Sequence, residues 1–264
     1  MKFFDSYAHL GLVSSDAITL LRIVQEAKRA GVTHIINVSN SVPEFAKVYA
    51  MVEDFQSVFH AAGFAPSEAN TLPLHWQQQL EDAAAQKNVV AIGAVGLDYS
   101  HGTAHKNAQI ELFIKQLNMA QKLHKPVLVY NRNAGDDIKS ILKAHAPDTG
   151  VIFHCYSETA EYARTVLKEF SVPVYFSFAG NITFRNSHEL HQAVLNIPPD
   201  NILVETASPF LPPAPFTGMQ NVPAHIFATV EFISEILDMD FETCAEKIYR
   251  NSLKAFRFSK AERS

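Results

Sequence analysis

The pattern of apolar and polar positions repeats one unit along the whole chain. A short apolar run opens at Met1 to His9, and Asp16 to Ala30 then carries apolar residues at the i, i+3, i+4 spacing of a helix. The same alternation of a β-branched run with a helical pattern continues to the last helix. The other predicted strands are 33–38, 57–63, 89–93, 126–130, 150–154, 172–177 and 201–205, and the other predicted helices are 43–54, 72–86, 106–123, 136–146, 157–170, 186–195, 223–237 and 241–256.

Eight predicted strands, each followed by a helix, indicate a single α/β domain over residues 1–264, a (β/α)8 TIM barrel. An open doubly wound sheet is the alternative, and it would favour a Gly-rich phosphate turn after an early strand. The first predicted strand ends instead in Tyr7-Ala8-His9-Leu10-Gly11, which favours the barrel. Functional side chains of such barrels lie at the C-terminal ends of the strands.

Composition narrows the class of protein. The formal net charge is −5 and no Lys/Arg block is present, which argues against free-standing tight binding to a nucleic-acid backbone. No stretch reaches the length of a membrane span, and Asp5 and His9 interrupt any secretory signal pattern at the start. Cys155 and Cys244 are too few for a disulfide framework. We therefore expect a cytoplasmic protein with reduced thiols and no membrane association.

Polar residues gather where the predicted strands end. The first strand carries Asp5, Tyr7 and His9, which strict alternation would place on one face. Further polar strand ends are Gly93 to Tyr99, Tyr130-Asn131-Arg132, His154-Cys155-Tyr156-Ser157 and Glu205 to Leu211.

Several longer motifs occur in a fixed order over the whole chain. They are Phe4-Asp5-Ser6, Gly96-Leu97-Asp98-Tyr99, Lys125-Pro126-Val127, His154-Cys155-Tyr156-Ser157, Ser177 to Asn186, Glu205-Thr206, Pro209-Phe210-Leu211 and Gly218 to Pro223. In these motifs the chain resembles the TatD-related hydrolases. The resemblance implies a TIM barrel of the wider amidohydrolase-like group and the activity of a metal-dependent deoxyribonuclease.

The departures from that family pattern fall on the metal ligands. The resemblance implies six ligand positions, of which only His9 and His154 keep the expected residue. Tyr7 and Tyr130 replace histidines, Ala94 replaces a bridging carboxylate, and Ala207 replaces an aspartate; Ala65 also stands where the family has a histidine in the loop after the third strand.

Ligand number decides what this site is expected to hold. Hydrolytic metal sites need about three protein ligands and an open position for water. His9 and His154 fall short of that number, so we expect a site remodelled after metal loss, with no cofactor. The alternative is one or two divalent ions, Zn, Mg or Mn, held weakly. Glu205 is the candidate for a third ligand, and a structural role is equally compatible with the sequence.

Arg132 is the strongest remaining functional residue. Its planar guanidinium suits bidentate binding of phosphate, and the resemblance implies that it faces substrate. The alternative is a salt bridge across the barrel to Asp98. Together with Glu205, these two residues are the predicted contacts to a substrate or phosphate, and no catalytic residue is assigned.

Three functions remain open from the sequence. The favoured one is a catalytically inactive pseudoenzyme that binds a phosphate-bearing ligand or a protein partner. The alternative implied by the resemblance is an active 3′–5′ exonuclease that hydrolyses phosphodiester bonds of single-stranded DNA. A third is metal-free hydrolysis with His9 or His154 as general base, for which the sequence shows no pair of nucleophile and oxyanion stabiliser.

Overall fold

The computed structural model describes residues 1–258 and contains eight parallel strands that pair in chain order. The strands are Phe3–Ala8 (β1), Val32–Val38 (β2), Val58–Ala62 (β3), Val89–Asp98 (β4), Val127–Arg132 (β5), Val151–Phe153 (β6), Val174–Phe178 (β7) and Ile202–Val204 (β8). The α-helices are Leu10–Val13 (α1), Ala17–Arg29 (α2), Val42–Val52 (α3), Trp76–Ala84 (α4), Lys106–Lys122 (α5), Gly135–His145 (α6), Ala160–Glu169 (α7), His188–Asn196 (α8), Ile226–Ile236 (α9) and Phe241–Ala255 (α10). The predicted barrel is confirmed.

Local sequence signals set several helix starts. Side chains of Asp16, Ser41, Thr159 and Asp240 each accept a hydrogen bond from a backbone N–H in the first turn of the helix that follows. The boundary predicted at Leu72 is wrong. α4 begins only after His75, whose φ of 59° interrupts the helical backbone.

Two apolar layers result from this arrangement. The larger lies between the strands and the surrounding helices, and the smaller fills the barrel. At the N-terminal end of the barrel the filling is aromatic: Phe4 stacks on Phe256 at 5.3 Å between ring centroids, and Phe258 meets Phe4 edge-on at 5.7 Å. The segment after α10 therefore closes the bottom of the barrel. Among residues 1–258, no helix combines the length and apolarity needed to cross a bilayer.

The seam between β1 and the segment after β8 completes the barrel. The Ala207 N–H donates to the Tyr7 carbonyl at 2.9 Å, and the His9 N–H donates to the Ser208 carbonyl at 2.8 Å. Deeper in the seam, the buried Asp5 carboxylate accepts from the Thr206 N–H at 2.8 Å and from the Thr206 hydroxyl at 2.5 Å. Burial is the main cause that raises the pKa of Asp5, to about 7.

A register shift in β1 corrects the predicted alternation. Asp5 pairs with Ile35 and Ala8 with Asn37, so three steps along β1 match two along β2. Such a bulge re-aims the side chains that follow it. Phe4 and Tyr7 consequently share the interior cluster, whereas Asp5 turns to Thr206 in the seam. The prediction that Asp5 shares a face with Tyr7 is wrong for this reason.

The aromatic packing at the bottom of the barrel predicts a large loss of stability when the Phe256 side chain is truncated. Phe256 is buried, and Phe256→Ala should leave a cavity and lower the free energy of unfolding by about 3–5 kcal/mol. Phe210→Ala is the matched control because Phe210 is 54% exposed, and it should change the free energy by less than about 1 kcal/mol. Urea unfolding measures both. Equal effects of the two variants would contradict the role of Phe256 in the core.

The raised pKa of Asp5 predicts a characteristic pH dependence. A carboxyl that titrates at about 7 when folded and near 3.8 when unfolded stabilises the fold fully below 3.8 and loses that contribution as pH rises to 7. Asp5→Asn does not titrate and keeps an oxygen for the Thr206 N–H. Between pH 5 and pH 8, wild type should lose about 2–3 kcal/mol relative to this variant in urea unfolding. The raised pKa of Asp5 would be refuted by free energies of unfolding that change in parallel for wild type and Asp5→Asn between pH 5 and pH 8.

Candidate binding site at the barrel mouth

The mouth is the end of the barrel formed by the C-terminal ends of the strands, and all predicted site residues lie at or near it. They are Tyr7 (β1), Ala94 and Asp98 (β4), and Tyr130 and Arg132 (β5), with His9, Ala65, His154, Glu205 and Ala207 in the segments that follow β1, β3, β6 and β8. Asp98 and Tyr130 are half-buried, Arg132 is exposed, and the remaining side chains are buried. The mouth is therefore a packed surface with one exposed cation at its edge.

Tyr7 contacts both retained histidines. Its ring stacks on the His154 ring with centroids 3.4 Å apart and planes 15° apart, and it meets the His9 ring edge-on at 5.0 Å. Burial, and then the nearby Glu205 carboxylate, raise the pKa of Tyr7 well above its usual range. A neutral aromatic ring thus packs against both retained histidines. Tyr130 adds a second ring on His154 at 5.9 Å.

Glu205 holds His154 in place. The His154 Nδ1 lies 2.7 Å from the Glu205 Oε1, and the Cys155 N–H donates to the Glu205 Oε2 at 3.2 Å. Within the described chain, neither Nδ1 nor Oε1 has any other hydrogen-bonding partner. Both carboxylate oxygens are engaged, which favours the structural role of Glu205 over that of a third metal ligand.

His9 is fixed from the neighbouring strand. Its Nδ1 lies 2.8 Å from the Val38 carbonyl, an obligate acceptor, so this ring nitrogen carries the proton. Burial, and then the proximity of His154, lower the pKa of His9 to about 4. The side chain is therefore neutral at pH 7.

The residues present do not fit the metal centre that the family pattern implies. In the part of the chain that the structure describes, no three side chains of His, Cys, Asp or Glu are grouped to hold a metal ion. Ala94 and Ala207 are buried and present only methyl groups where the pattern implies carboxylates. The Tyr7 ring lies against His154, and no third ligand from the described residues joins the two retained imidazoles.

Arg132 and Asp98 form no salt bridge, so that alternative is wrong. The two side chains are connected through the Tyr130 hydroxyl, which lies 3.4 Å from the Arg132 Nη1 and 3.4 Å from the Asp98 Oδ2. Asp98 instead accepts from the Ser100 N–H at 2.8 Å and also bonds the Ser100 hydroxyl. Asp98 therefore orders the turn after β4, while most of the Arg132 guanidinium donors have no hydrogen-bond partner among the described residues.

A groove of about 480 Å³ lies beside Arg132, between the loops after β5 and β6. Its acidic side chains have partners: Lys139 lies 3.6 Å from Asp136, and Asn131 donates to Glu158 at 2.9 Å. Among the described residues, Arg132 has no ion-pair partner. The lining residues are Arg132, Asn133, Gly135, Asp136, Ser157, Glu158 and Tyr162.

Two residues of the mouth had no role assigned from the sequence. The buried Asn221 amide donates to the carbonyls of Thr206 at 2.8 Å and Phe210 at 2.7 Å, which fixes the long loop after β8. Asn37 of β2 accepts from the Leu10 N–H at 3.0 Å. A polar residue inside an apolar strand run was the available signal for Asn37, and a buried amide between Gly218 and Pro223 was the signal for Asn221.

Comparisons with known proteins agree with this architecture. The family model for TatD related DNase matches residues 4–257. The Bacillus subtilis protein named uncharacterized metal-dependent hydrolase YabD is 33% identical over 257 residues, which cover 97% of this chain and 99% of that protein.

Solved structures extend the comparison. YjjV, a TatD homologue from Escherichia coli, superposes with a TM-score of 0.88 at 25% identity and covers 97% of this chain and 98% of its own. An uncharacterized amidohydrolase from Saccharomyces cerevisiae shares the fold, with a TM-score of 0.82 at 17% identity and coverage of 97% and 99%. The match over residues 4–257 and the relative at 33% identity show that the chain belongs to the TatD-related DNase family.

Proposed function

We propose that this protein is a TatD-family pseudoenzyme that has lost its metal centre and binds a phosphate-bearing ligand through Arg132 at the edge of the barrel mouth. The observation that carries the proposal is the Tyr7 ring, stacked at 3.4 Å on His154 at the mouth. Metal-generated hydroxide and charge neutralisation supply most of the rate in phosphodiester hydrolysis. A mouth without a full ligand set has no equivalent source of nucleophile.

Arg132 supports the binding half of the proposal. Its side chain is exposed, and its one hydrogen bond within the described residues is the long contact of 3.4 Å to the Tyr130 hydroxyl. A guanidinium with most donors free can bind two phosphate oxygens in parallel. Because Asp136 and Glu158 line the same groove, a terminal phosphate with a neutral or basic remainder is the favoured ligand class. A protein partner stays a prediction.

An active exonuclease is the second candidate, and the names of the relatives favour it. YabD is described as a metal-dependent hydrolase, and the family is described as a DNase family. For this chain, such activity would have to proceed with His9, His154 and Glu205 as the ligand set. Glu205 already uses both oxygens on His154 and Cys155, which argues against that arrangement.

Restoring the ligands should restore ion binding. Wild type should carry well under one equivalent of Zn, Mn or Mg after purification and show no heat of binding in isothermal titration. The combined variant Tyr7→His, Ala94→Glu, Tyr130→His and Ala207→Asp should bind Zn or Mn, because each residue lies at or near the C-terminal end of a rigid strand. Ala94→Glu alone buries an uncompensated carboxylate and should lower stability.

A nuclease assay and a melting-temperature measurement provide two further tests of the pseudoenzyme proposal. Wild type should leave 5′-labelled single-stranded DNA intact in Zn, Mn or Mg, and its melting temperature should be the same with and without EDTA. Wild type that binds an ion as tightly as the combined variant, or degrades DNA in a reaction lost with His154→Ala, would overturn the pseudoenzyme proposal. A folded combined variant that binds no ion would show that the assumed ligand positions are wrong.

Arg132 should dominate phosphate binding. Removing one charge-assisted contact should weaken binding of thymidine 5′-monophosphate by roughly 10-fold or more in Arg132→Ala, with Arg132→Lys intermediate. Arg164→Ala is the matched control because Arg164 bonds Asn196 on the outer surface. Isothermal titration at low salt measures all three variants. Equal affinity in wild type and Arg132→Ala would exclude Arg132 as the phosphate contact.

A further inference from the structure

A buried hydrogen-bonded chain connects β3 to the segment that begins at the barrel mouth. Leu10, the first residue of α1, donates its N–H to the Asn37 Oδ1 at 3.0 Å. The Asn37 Nδ2 lies 3.2 Å from the His60 Nδ1. Asn37 and His60 are neighbours in the register of β2 and β3, and neither is exposed to solvent.

These hydrogen bonds fix which ring nitrogen of His60 carries the proton. A backbone N–H can only donate, so the Asn37 amide must present its oxygen to Leu10 and its NH₂ group to His60. The His60 Nδ1 must then accept, which places the ring proton on Nε2. The Nε2 atom is buried and has no hydrogen-bond partner within the described residues. His60 is held as one neutral tautomer.

Adding a proton to His60 breaks one of the two hydrogen bonds of Asn37, either the one to His60 or the one to Leu10. A protonated Nδ1 would face the Asn37 NH₂ group, and two donors cannot bond each other. A flip of the Asn37 amide would bring its oxygen to His60 and its NH₂ group to the Leu10 N–H, which moves the conflict to Leu10. No orientation of Asn37 satisfies both neighbours once His60 is charged.

The surroundings of His60 offer the charged form no compensation. The rings of Phe45 and Tyr49 from α3 pack on it at 5.5 and 5.1 Å, and Tyr49 is the titratable group that faces it. Burial lowers the pKa of His60 to about 4. The charged side chains of α3 and α4 are exposed or paired elsewhere: Lys47, Glu53 and Asp82 are exposed, Glu44 accepts from the Asn40 N–H, and Glu81 pairs with Lys122. From β4, the neighbour in register is the apolar Val89.

We propose that the Asn37–His60 pair is an acid-sensitive latch: protonation of His60 releases the Leu10 N–H and frees α1 at the barrel mouth. The opened segment, Leu10–Val13, begins one residue after His9. The latch acts on the backbone of the mouth and is independent of any ligand at Arg132. Its failure and the failure of the proposed function are therefore separate outcomes.

Hydrogen exchange at the Leu10 amide tests the latch in the full-length protein. The pKa of His60 is about 4 in the closed state, against 6.5 for an ordinary imidazole. Opening should therefore become more frequent between pH 7.5 and pH 5.0, by at most roughly 25-fold, a limit reached when opening also exposes the His60 ring to solvent. The protection factor of Leu10, corrected for the intrinsic exchange rate, should fall accordingly. The Ile138 amide of α6, which donates to the Ala134 carbonyl, serves as the internal reference and should keep its protection factor.

Matched histidine variants separate titration from packing. In His60→Asn, the side-chain oxygen takes the place of Nδ1 as acceptor and does not titrate, so Leu10 protection should become independent of pH. His75→Asn is the control, because His75 is exposed and its φ of 59° suits asparagine; it should keep the wild-type response.

Direct titration of wild type covers the case in which His60→Asn does not fold. The His60 ring signals in NMR should stay unchanged down to about pH 5. Titration of His60 above pH 6, an unchanged Leu10 protection factor between pH 7.5 and pH 5.0, or an equal loss of protection at Ile138 would each overturn the proposal.

Discussion

The stacking of Tyr7 on His154 is the contact on which the barrel mouth depends. A metal centre fills such a mouth with a cation and its ligands, and the cation offsets the charge of the buried carboxylates. Without the ion, those carboxylates would repel one another and lack solvation. In this chain the Tyr7 ring lies 3.4 Å from the His154 ring, and positions 94 and 207 carry buried methyl groups without charge. The packing of the mouth is therefore consistent with its low content of buried charge.

Glu205 is a buried carboxylate whose two oxygens are both paired within the protein. Its two oxygens approach the His154 Nδ1 and the Cys155 N–H, and Cys155 has the unusual φ of 44°. Truncating Glu205 would leave a ring nitrogen and a strained backbone N–H buried without partners, a penalty of about 1–3 kcal/mol for each group. Pairing with the protein is what stabilises the Glu205 carboxylate in this buried position.

The sequence predicted the fold well because barrel formation depends on local periodicity. Each strand is a short apolar run, and each helix repeats its apolar positions at helical spacing, so eight units could be counted directly. The residues that stand at the expected ligand positions could also be read directly from the sequence. The sequence did not show how the side chains around those positions are arranged. The register shift between Asp5 and Ala8 has no compositional signature, and it decides that Tyr7 points into the barrel while Asp5 faces Thr206.

Long-range side-chain contacts were the second feature that could not be predicted from the sequence. Alternation and spacing describe neighbours along the chain, whereas Asn37 bonds Leu10 and His60 from two other segments. The alternative of a salt bridge between Arg132 and Asp98 is not realised for a related reason, because Ser100, two residues beyond Asp98, competes for the carboxylate at short range. Sequence indicates which polar residues are present at strand ends; only the fold indicates which of them meet.

The closing seam of the barrel is held by backbone atoms at the positions where the mouth begins. The end of β1 is held by backbone bonds from Ala207 to Tyr7 and from His9 to Ser208, and neither bond involves a ligand side chain. The Val38 carbonyl and the Asn37 amide hold the same segment from β2. Side chains at positions 7 and 207 can therefore change without opening the barrel, since their backbones carry the closure.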